Sequence, residues 1–261
     1  MLTKDDLVNL DSTPLLKDVS LELYKDFSLA YLLSRRFIYY FSDGTSINVE
    51  FEEWGIYHML GIQHIDYRIR NNELFQKIND GLSFSDFKVD DAIKDRFKKQ
   101  KKRIAMFACI YNTLRKGWVF YIPSGKVKNT NNVEVDYILY RTLYNHSGNN
   151  NGMNVGIRFE NGKYVPLTIL ISKQSSLMDY VNIQDFKLVE KLEILDGLGN
   201  VIDIINYSLI NKRHQIRCLL YYVHYYSSVT SRFPRLVTIN LPPVHTISTN
   251  TLCFICGKSC K

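Results

Sequence analysis

A single histidine stands among apolar residues near the end of a predicted helix. Residues 38–65 read IYYFSDGTSINVEFEEWGIYHMLGIQHI, and His58 lies in the stretch YHMLGI. An imidazole can take or give a proton near neutral pH, so His58 is a candidate general acid or base. The alternative is a core histidine whose ring is satisfied by a hydrogen bond. The residue types alone leave both interpretations open.

The residues before His58 predict a β-hairpin that leads into a short helix. Asp43-Gly44 is a favoured tight turn, and residues 39–41 and 47–51 alternate between apolar and polar positions on either side of it. Glycine at position 61 then ends the apolar run that carries His58. The hairpin and the helix therefore form the local frame for this histidine.

The rest of the chain predicts two longer helices followed by consecutive strands. Helical apolar spacing extends over residues 15–36, and Asp90 or Asp91 is expected to cap a helix that continues to residue 114. Strand-like runs then fill residues 118–207, with Asn161-Gly162 as one hairpin turn, while the asparagine run 149–151 predicts an exposed loop. This order predicts an α+β fold with N-terminal helices packed on an antiparallel β-sheet.

The charge of the chain is concentrated at its C-terminal end. The 261 residues include 33 Lys and Arg against 26 Asp and Glu, a net charge of +7, and no acidic residue follows Asp203. We therefore predict an α+β nuclease-like domain over residues 1–207 and a basic, aromatic- and cysteine-containing extension over residues 208–261. Such an extension suits phosphate contact and base stacking, but it is also compatible with a merely solvated tail.

The cysteines and the absence of apolar spans limit the compartment and the cofactors. Cys253, Cys256 and Cys260 contain a single C-x2-C pair, with His245 upstream, which favours free thiols over a zinc site. No apolar run approaches the roughly 20 residues of a membrane span, and the N-terminus is acidic and mixed, unlike a signal peptide. We expect a cytoplasmic protein with no membrane partner, no bound metal and no cofactor, since phosphate- and dinucleotide-binding glycine motifs are also missing.

The segment FSDGTSINVEFEEWGIYHMLGIQHI resembles the start of a phage-associated nuclease family, the fourth phage group of the barnase, EndoU, colicin and RelE superfamily. Residues 164–168, YVPLT, resemble the motif of a later strand in that family, and the resemblance covers about residues 20–195. It implies a compact α+β fold and metal-independent cleavage of RNA. Met59 stands where leucine is commoner.

The implied chemistry requires a base for the ribose 2′-hydroxyl, an acid for the leaving 5′-oxygen and cations for the charged phosphorane. His58 fits the acid or base role. On the strength of the resemblance, Thr168 and Lys173 are candidates to place a hydroxyl and a cation beside the phosphate. Without it, they are an ordinary strand threonine and a solvated lysine.

A strongly cationic helix segment is a candidate RNA-binding surface. Residues 96–103 read RFKKQKKR, and Arg96, Lys99 and Arg103 share one face at helical spacing. The alternative is a solvated face balanced by nearby aspartates. Arg141, on a predicted strand, is a further candidate phosphate contact.

Two classes of function remain open from the sequence. The first is a metal-independent endoribonuclease, a toxin or effector of a phage or mobile element. The second is a non-catalytic protein of the same fold that binds nucleic acid or blocks a host protein. RNA is the expected partner, with a host protein or a cognate inhibitor as further candidates.

Overall fold

The computed structural model describes residues 1–130, 132–145, 147–173 and 179–207, together with a short strand pair at 252–253 and 258–259. By their internal contacts, residues 1–207 form one compact unit. The predictions for the basic extension, and for Cys256 and Cys260 within it, lie outside the described residues.

Five α-helices and nine strands make up the described part of this unit. The helices are α1 (Leu21–Phe27), α2 (Glu53–Leu60), α3 (Leu74–Asn79), α4 (Asp91–Phe107) and α5 (Ile110–Lys116). The strands are β1 (Arg35–Phe41), β2 (Ser46–Glu50), β3 (Trp118–Tyr121), β4 (Tyr137–Tyr144), β5 (Asn150–Glu160), β6 (Lys163–Lys173), β7 (Phe186–Lys187), β8 (Val189–Asp196) and β9 (Val201–Asn206). None of the helices described has both the length and the apolar run needed to cross a membrane.

The nine strands form a mixed sheet in the order β7-β3-β4-β5-β6-β2-β1-β8-β9. Neighbouring strands pair antiparallel, except that β2 and β6 run parallel with Val49 opposite Tyr164. The α+β class is confirmed, but the expectation of an antiparallel sheet is wrong at this pair. A connection of more than a hundred residues separates the two strands, which allows β6 to return in the same direction as β2.

The N-terminal helix is shorter than its apolar spacing predicts. Within the predicted range 15–36, the helix begins after Ser20, whose Oγ accepts from the Leu23 N–H at 3.0 Å, and α1 continues directly into a π-helical stretch, Ser28–Leu32. Arg35 and Arg36 belong to β1 instead, because β1 is hydrogen-bonded to β2 on one side and β8 on the other. Pairing between strands overrides the local helical pattern here.

Two further expectations, for residues 90–114 and for residues 149–151, are also corrected. The predicted helix over 90–114 does begin after Asp90, whose Oδ1 accepts from the Ile93 N–H at 3.0 Å, but it is interrupted between α4 and α5. The asparagine run is an exposed loop only at Asn149, because β5 already begins at Asn150. Asn151 is only 7% exposed, and its side-chain oxygen accepts from the Lys102 ammonium.

Buried tyrosines link the helices to the rest of the core by hydrogen bonds to helix carbonyls. The Tyr24 hydroxyl of α1 donates to the Ile104 carbonyl of α4 at 2.7 Å, and its ring meets the Phe107 ring edge-on at 5.1 Å. From the sheet, the Tyr39 hydroxyl donates to the Leu114 carbonyl of α5 at 2.7 Å. The core thus contains tyrosine rings whose polar atoms are satisfied by helix carbonyls.

Candidate active site

Helix α2, which carries His58, is packed directly against β6. At Gly55 a Cβ atom would lie 2.6 Å from the carbonyl oxygen of Pro166, so only glycine permits this approach. The helix ends at Gly61, which has a φ of 73° and donates its N–H to the His58 carbonyl at 3.0 Å. His58 lies one turn after Gly55 and therefore on the side of α2 nearest β6.

The imidazole of His58 is half-buried beside two aromatic rings. The Trp54 and Tyr57 rings meet it edge-on, with centroid distances of 5.9 Å and 5.2 Å. Burial is the main cause that lowers the pKa of His58, and the positive charges of His64 and Arg158 lower it further. The neutral, proton-accepting form of His58 is therefore favoured at neutral pH.

A second histidine follows shortly after α2. His64 ends the 3₁₀ turn Ile62–His64, and its pKa is also lowered, first by burial and then by the charge of Arg103. Arg103 of α4 packs on Gly61, where a Cβ would lie 3.2 Å from both the Arg103 Cδ and Nη1. The structure thus sets two imidazoles and a guanidinium around the turn at Gly61.

Arg158 of β5 is the cation in the sheet whose charge lowers the pKa of His58. Its Nε donates to the Glu160 Oε1 at 2.7 Å, and its side chain is 42% exposed. Gly156, two residues earlier and hence on the same face of β5, lies opposite Thr168 of β6. A Cβ at Gly156 would be 2.8 Å from the Thr168 Cγ2, so the half-buried Thr168 covers this glycine.

Lys173 lies on the other face of β6. It is five residues after Thr168, and an odd spacing along a strand reverses the direction of the side chain. It is exposed and pairs in register with Asn151, and its charge lowers the pKa of Lys102 beyond the larger effect of burial. The structure therefore does not bring Lys173 and Thr168 together.

The predicted cationic face of α4 divides into separate environments. The Arg96 guanidinium lies 5.5 Å from the centre of the exposed Tyr67 ring, Lys99 is exposed, and Arg103 turns inward against Gly61. Arg96 of this face lies over Tyr67 in the segment after α2. Arg103 is the residue of the three that contacts the turn between the two histidines.

Arg141 of β4 is not a freely available cation. Its Nη2 forms an ion pair with Asp11, and its side chain is only 15% exposed. The neighbouring Tyr140 is buried at 3% exposure. The expected phosphate contact at Arg141 therefore competes with an ion pair inside the protein.

Sequence reasoning did not identify His64, Arg158 or Asn154. His64 stands in the same segment as His58, but Gly61 breaks the helical spacing between them, and only the fold shows that they are neighbours. Asn154 is fully buried on β5, with its Nδ2 donating to the Ser172 Oγ at 3.2 Å, while its Oδ1 has no hydrogen-bond partner in the described part of the chain. The apolar–polar–apolar sequence Ile157-Arg158-Phe159 was the available signal for Arg158.

An α+β domain that places His58, His64 and Arg103 around the turn after α2, with Arg158 of β5 near enough to lower the pKa of His58, is compatible with a phosphodiester-cleaving protein. The family model of phage-Barnase-EndoU-ColicinE5/D-RelE like nuclease 4 (PBECR4) matches residues 21–186, nearly two thirds of the chain. The chain therefore belongs to this family of phage-associated nucleases, and the resemblance predicted from its sequence is confirmed. The match runs from the start of α1 to β7 and includes every residue of the candidate site.

Neither the curated proteins nor the solved structures contain a match to the chain. Among the residues described, no group of three or more histidine, cysteine, aspartate or glutamate side chains is arranged to hold a metal ion.

Proposed function

We propose that this protein is an endoribonuclease, a toxin or effector of a phage or mobile element, that cleaves RNA without a metal ion. His58 is its proton-transfer group. The observation that carries the proposal is a half-buried imidazole whose pKa is lowered by burial, by His64 and by the guanidinium of Arg158. A neutral base beside a cation suits attack on a phosphodiester.

In the proposed reaction, neutral His58 takes the proton from a ribose 2′-hydroxyl. The 2′-oxygen forms a bond to the adjacent phosphorus, and the bond from phosphorus to the 5′-oxygen breaks. The protonated form of His64 gives its proton to that leaving oxygen. The products are a 2′,3′-cyclic phosphate and a free 5′-hydroxyl, and the step leaves His58 protonated and His64 neutral, a net transfer of one proton from the acid to the base.

The charged groups take distinct roles in this scheme. Arg158, oriented by Glu160, stabilises the negative charge that develops on the phosphorane oxygens. Thr168 of β6, on the same face of the sheet as Arg158 of β5, donates its hydroxyl to a phosphate oxygen. Arg103 holds the turn between the two histidines, and its charge lowers the pKa of His64.

The remaining cations contact the RNA strand away from the scissile phosphate. Lys173, on the opposite face of β6, lies near Lys102, and these two lysines form one such contact. Arg96 and Lys99 of α4 supply another. Such contacts add affinity that depends on salt but do not distinguish between sequences.

The test is cleavage of an end-labelled RNA oligonucleotide by purified full-length protein in EDTA. An RNA with a 2′-O-methyl group at the mapped cleavage site and a DNA of the same sequence are the substrate controls. We expect cleavage of the unmodified RNA only, with 2′,3′-cyclic phosphate ends. Protein that leaves all three substrates intact, or that cuts the 2′-O-methyl RNA equally well, overturns the proposal.

A further inference from the structure

A polar pocket lies away from the histidine pair, between the N-terminal segment, β1, α5 and β9. It has a volume of about 390 Å³, within the range of small-ligand sites. It shares no residue with the candidate active site. The residues that matter for its chemistry are Asp5, Tyr31, Arg35, Tyr111, Arg115 and Asp203.

Arg35 is the central cation of this pocket. Its guanidinium carbon lies 4.6 Å from the centre of the Tyr31 ring and 5.3 Å from that of Tyr111. Its Nη1 donates to the Tyr111 hydroxyl, and no carboxylate forms an ion pair with it among residues 1–207 as described. A guanidinium held by two rings keeps most of its five donors for a ligand.

Arg115 brings a second guanidinium to the same pocket. Its Nη2 lies 3.3 Å from the Asp203 Oδ2, whereas its Nε is buried and has no hydrogen-bond partner in the part of the chain that the structure describes. The positive charge of Arg115 thus lies beside the pocket, although its donors are either paired or buried. Arg35 and Arg115 therefore line the same pocket, and the donors that are free for a ligand are those of Arg35.

The acidic residues limit what kind of anion fits. Asp5, whose carboxylate accepts from the Tyr31 hydroxyl, and Asp203 line the same pocket and balance the two arginines. A continuous polynucleotide would bring further phosphates against these carboxylates. A single compact phosphate with hydrogen-bond donors beside it is complementary to both kinds of charge.

We propose that this pocket binds a mononucleotide. Its phosphate contacts the guanidinium of Arg35 on the side of the pocket that Arg115 also lines, and an amino or hydroxyl group of its base or sugar donates to Asp5. The same phosphate chemistry is present in a free nucleotide and at the 5′-phosphorylated end of an RNA strand. The site does not depend on the proposed cleavage reaction, since none of its residues takes part in it.

The experiment measures binding of AMP, GMP, CMP and UMP to full-length protein by calorimetry. Inorganic phosphate, the unphosphorylated nucleosides and a 5′-phosphorylated oligonucleotide are measured beside them. We expect at least one nucleotide to bind in the range of about 10 µM to 1 mM, and more tightly than phosphate or its own nucleoside. No binding at about 10 mM nucleotide, or equal binding of phosphate alone, overturns the proposal.

Arg35→Lys is the decisive variant, because lysine keeps the charge but cannot bind a phosphate through two parallel hydrogen bonds. We expect nucleotide affinity to fall about tenfold or more. Arg36→Lys is the matched control, since successive residues of a strand point to opposite faces. Equal effects of the two changes contradict the assignment.

Asp5→Asn provides a test that does not depend on Arg35. Asp5 is exposed, so the fold should tolerate the change. Removal of its charge is expected to tighten binding of inorganic phosphate and to reduce the preference for a nucleotide over phosphate. In Asp5→Asn, an unchanged preference for a nucleotide over inorganic phosphate would overturn the role of this carboxylate. In the wild-type protein, tighter binding of the 5′-phosphorylated oligonucleotide than of every nucleotide would identify an RNA end as the source of the phosphate.

Discussion

Gly55 of α2 and Pro166 of β6 approach so closely that a single added carbon at Gly55 would lie 2.6 Å from the Pro166 carbonyl oxygen. The helix that carries His58 is thereby fixed against the strand that carries Thr168. The atom it meets is backbone, so no flexible side chain can move aside. The position of the imidazole relative to the strand depends on this contact.

Gly55→Ala should destabilise the protein although alanine is the better helix former. Helix propensity alone would favour alanine by about 1 kcal/mol, but the forced shift of α2 from β6 should cost about 1–3 kcal/mol more than that gain. Denaturant unfolding measures the difference. Gly197→Ala is the control, because its nearest contact, the Ser34 carbonyl oxygen at 3.7 Å, leaves room for a methyl group. Equal stability of wild type and Gly55→Ala would show that the helix adapts freely.

His58→Asn should reduce RNA cleavage by about 10²–10⁴-fold, the usual effect of losing a general acid or base. RNA affinity should change little, because the cations supply most of it. Single-turnover cleavage and filter binding measure the two quantities. Tyr67→Phe, an exposed change in the following segment, should retain the wild-type rate. A folded His58→Asn protein that cuts at the wild-type rate excludes His58 from the reaction.

Arg158→Gln should raise the pKa of His58, because it removes a positive charge that disfavours protonation. NMR titration of the imidazole measures this shift, and the ascending limb of the pH–rate profile should move to higher pH in the same direction. Cleavage should also slow, since the phosphorane loses its cation. Lys173→Gln is the matched control, as it removes a cation from the opposite face of the adjacent strand. Equal effects on the His58 pKa would contradict the assigned geometry.

Stability should fall as the pH drops from 7 towards 5, in part because of His58. Its native pKa lies below the ordinary value of 6.5, so the unfolded chain binds the proton more readily. The stabilisation is complete above pH 6.5 and is lost as the pH falls through the native pKa. Urea unfolding at several pH values should give a shallower loss for His58→Asn than for wild type. Identical slopes would mean that this imidazole titrates normally in the folded protein.

Local patterns in the sequence correctly predicted the features that local chemistry determines. The hairpin turn follows from Asp43-Gly44, where Gly44 has a φ of 81° and the Asp43 Oδ1 accepts from the Thr45 N–H at 3.0 Å. The start of α4 follows from the Asp90 cap. Both features depend on hydrogen bonds between residues no more than three positions apart, so they form independently of the pairing of distant segments.

The errors concern contacts between distant residues. Helical spacing over 15–36 fails because Arg35 pairs with Asp196, some 160 positions away, and no local window contains that pairing. His58 could be found as a motif, but its partner Arg158 could not, since only the packing of α2 on β6 makes them neighbours. That Thr168 and Lys173 lie on opposite faces of β6 could be predicted only once the boundaries of the strand were known, because the spacing within one strand determines the face of each side chain.

Strands β2 and β6 are paired at a single register position, so few backbone hydrogen bonds hold the sheet together at this junction. On one side β2, β1, β8 and β9 share a continuous hydrogen-bond ladder, and on the other β6, β5, β4, β3 and β7 share another. Opening between the two ladders breaks few hydrogen bonds, so amide exchange should be fastest beside Val49 and Tyr164. Helix α2 continues from one ladder and rests on the other. The contact between Gly55 and Pro166 therefore spans this junction, and an opening of the sheet that pulls α2 along with β2 would strain the contact that keeps His58 near Arg158.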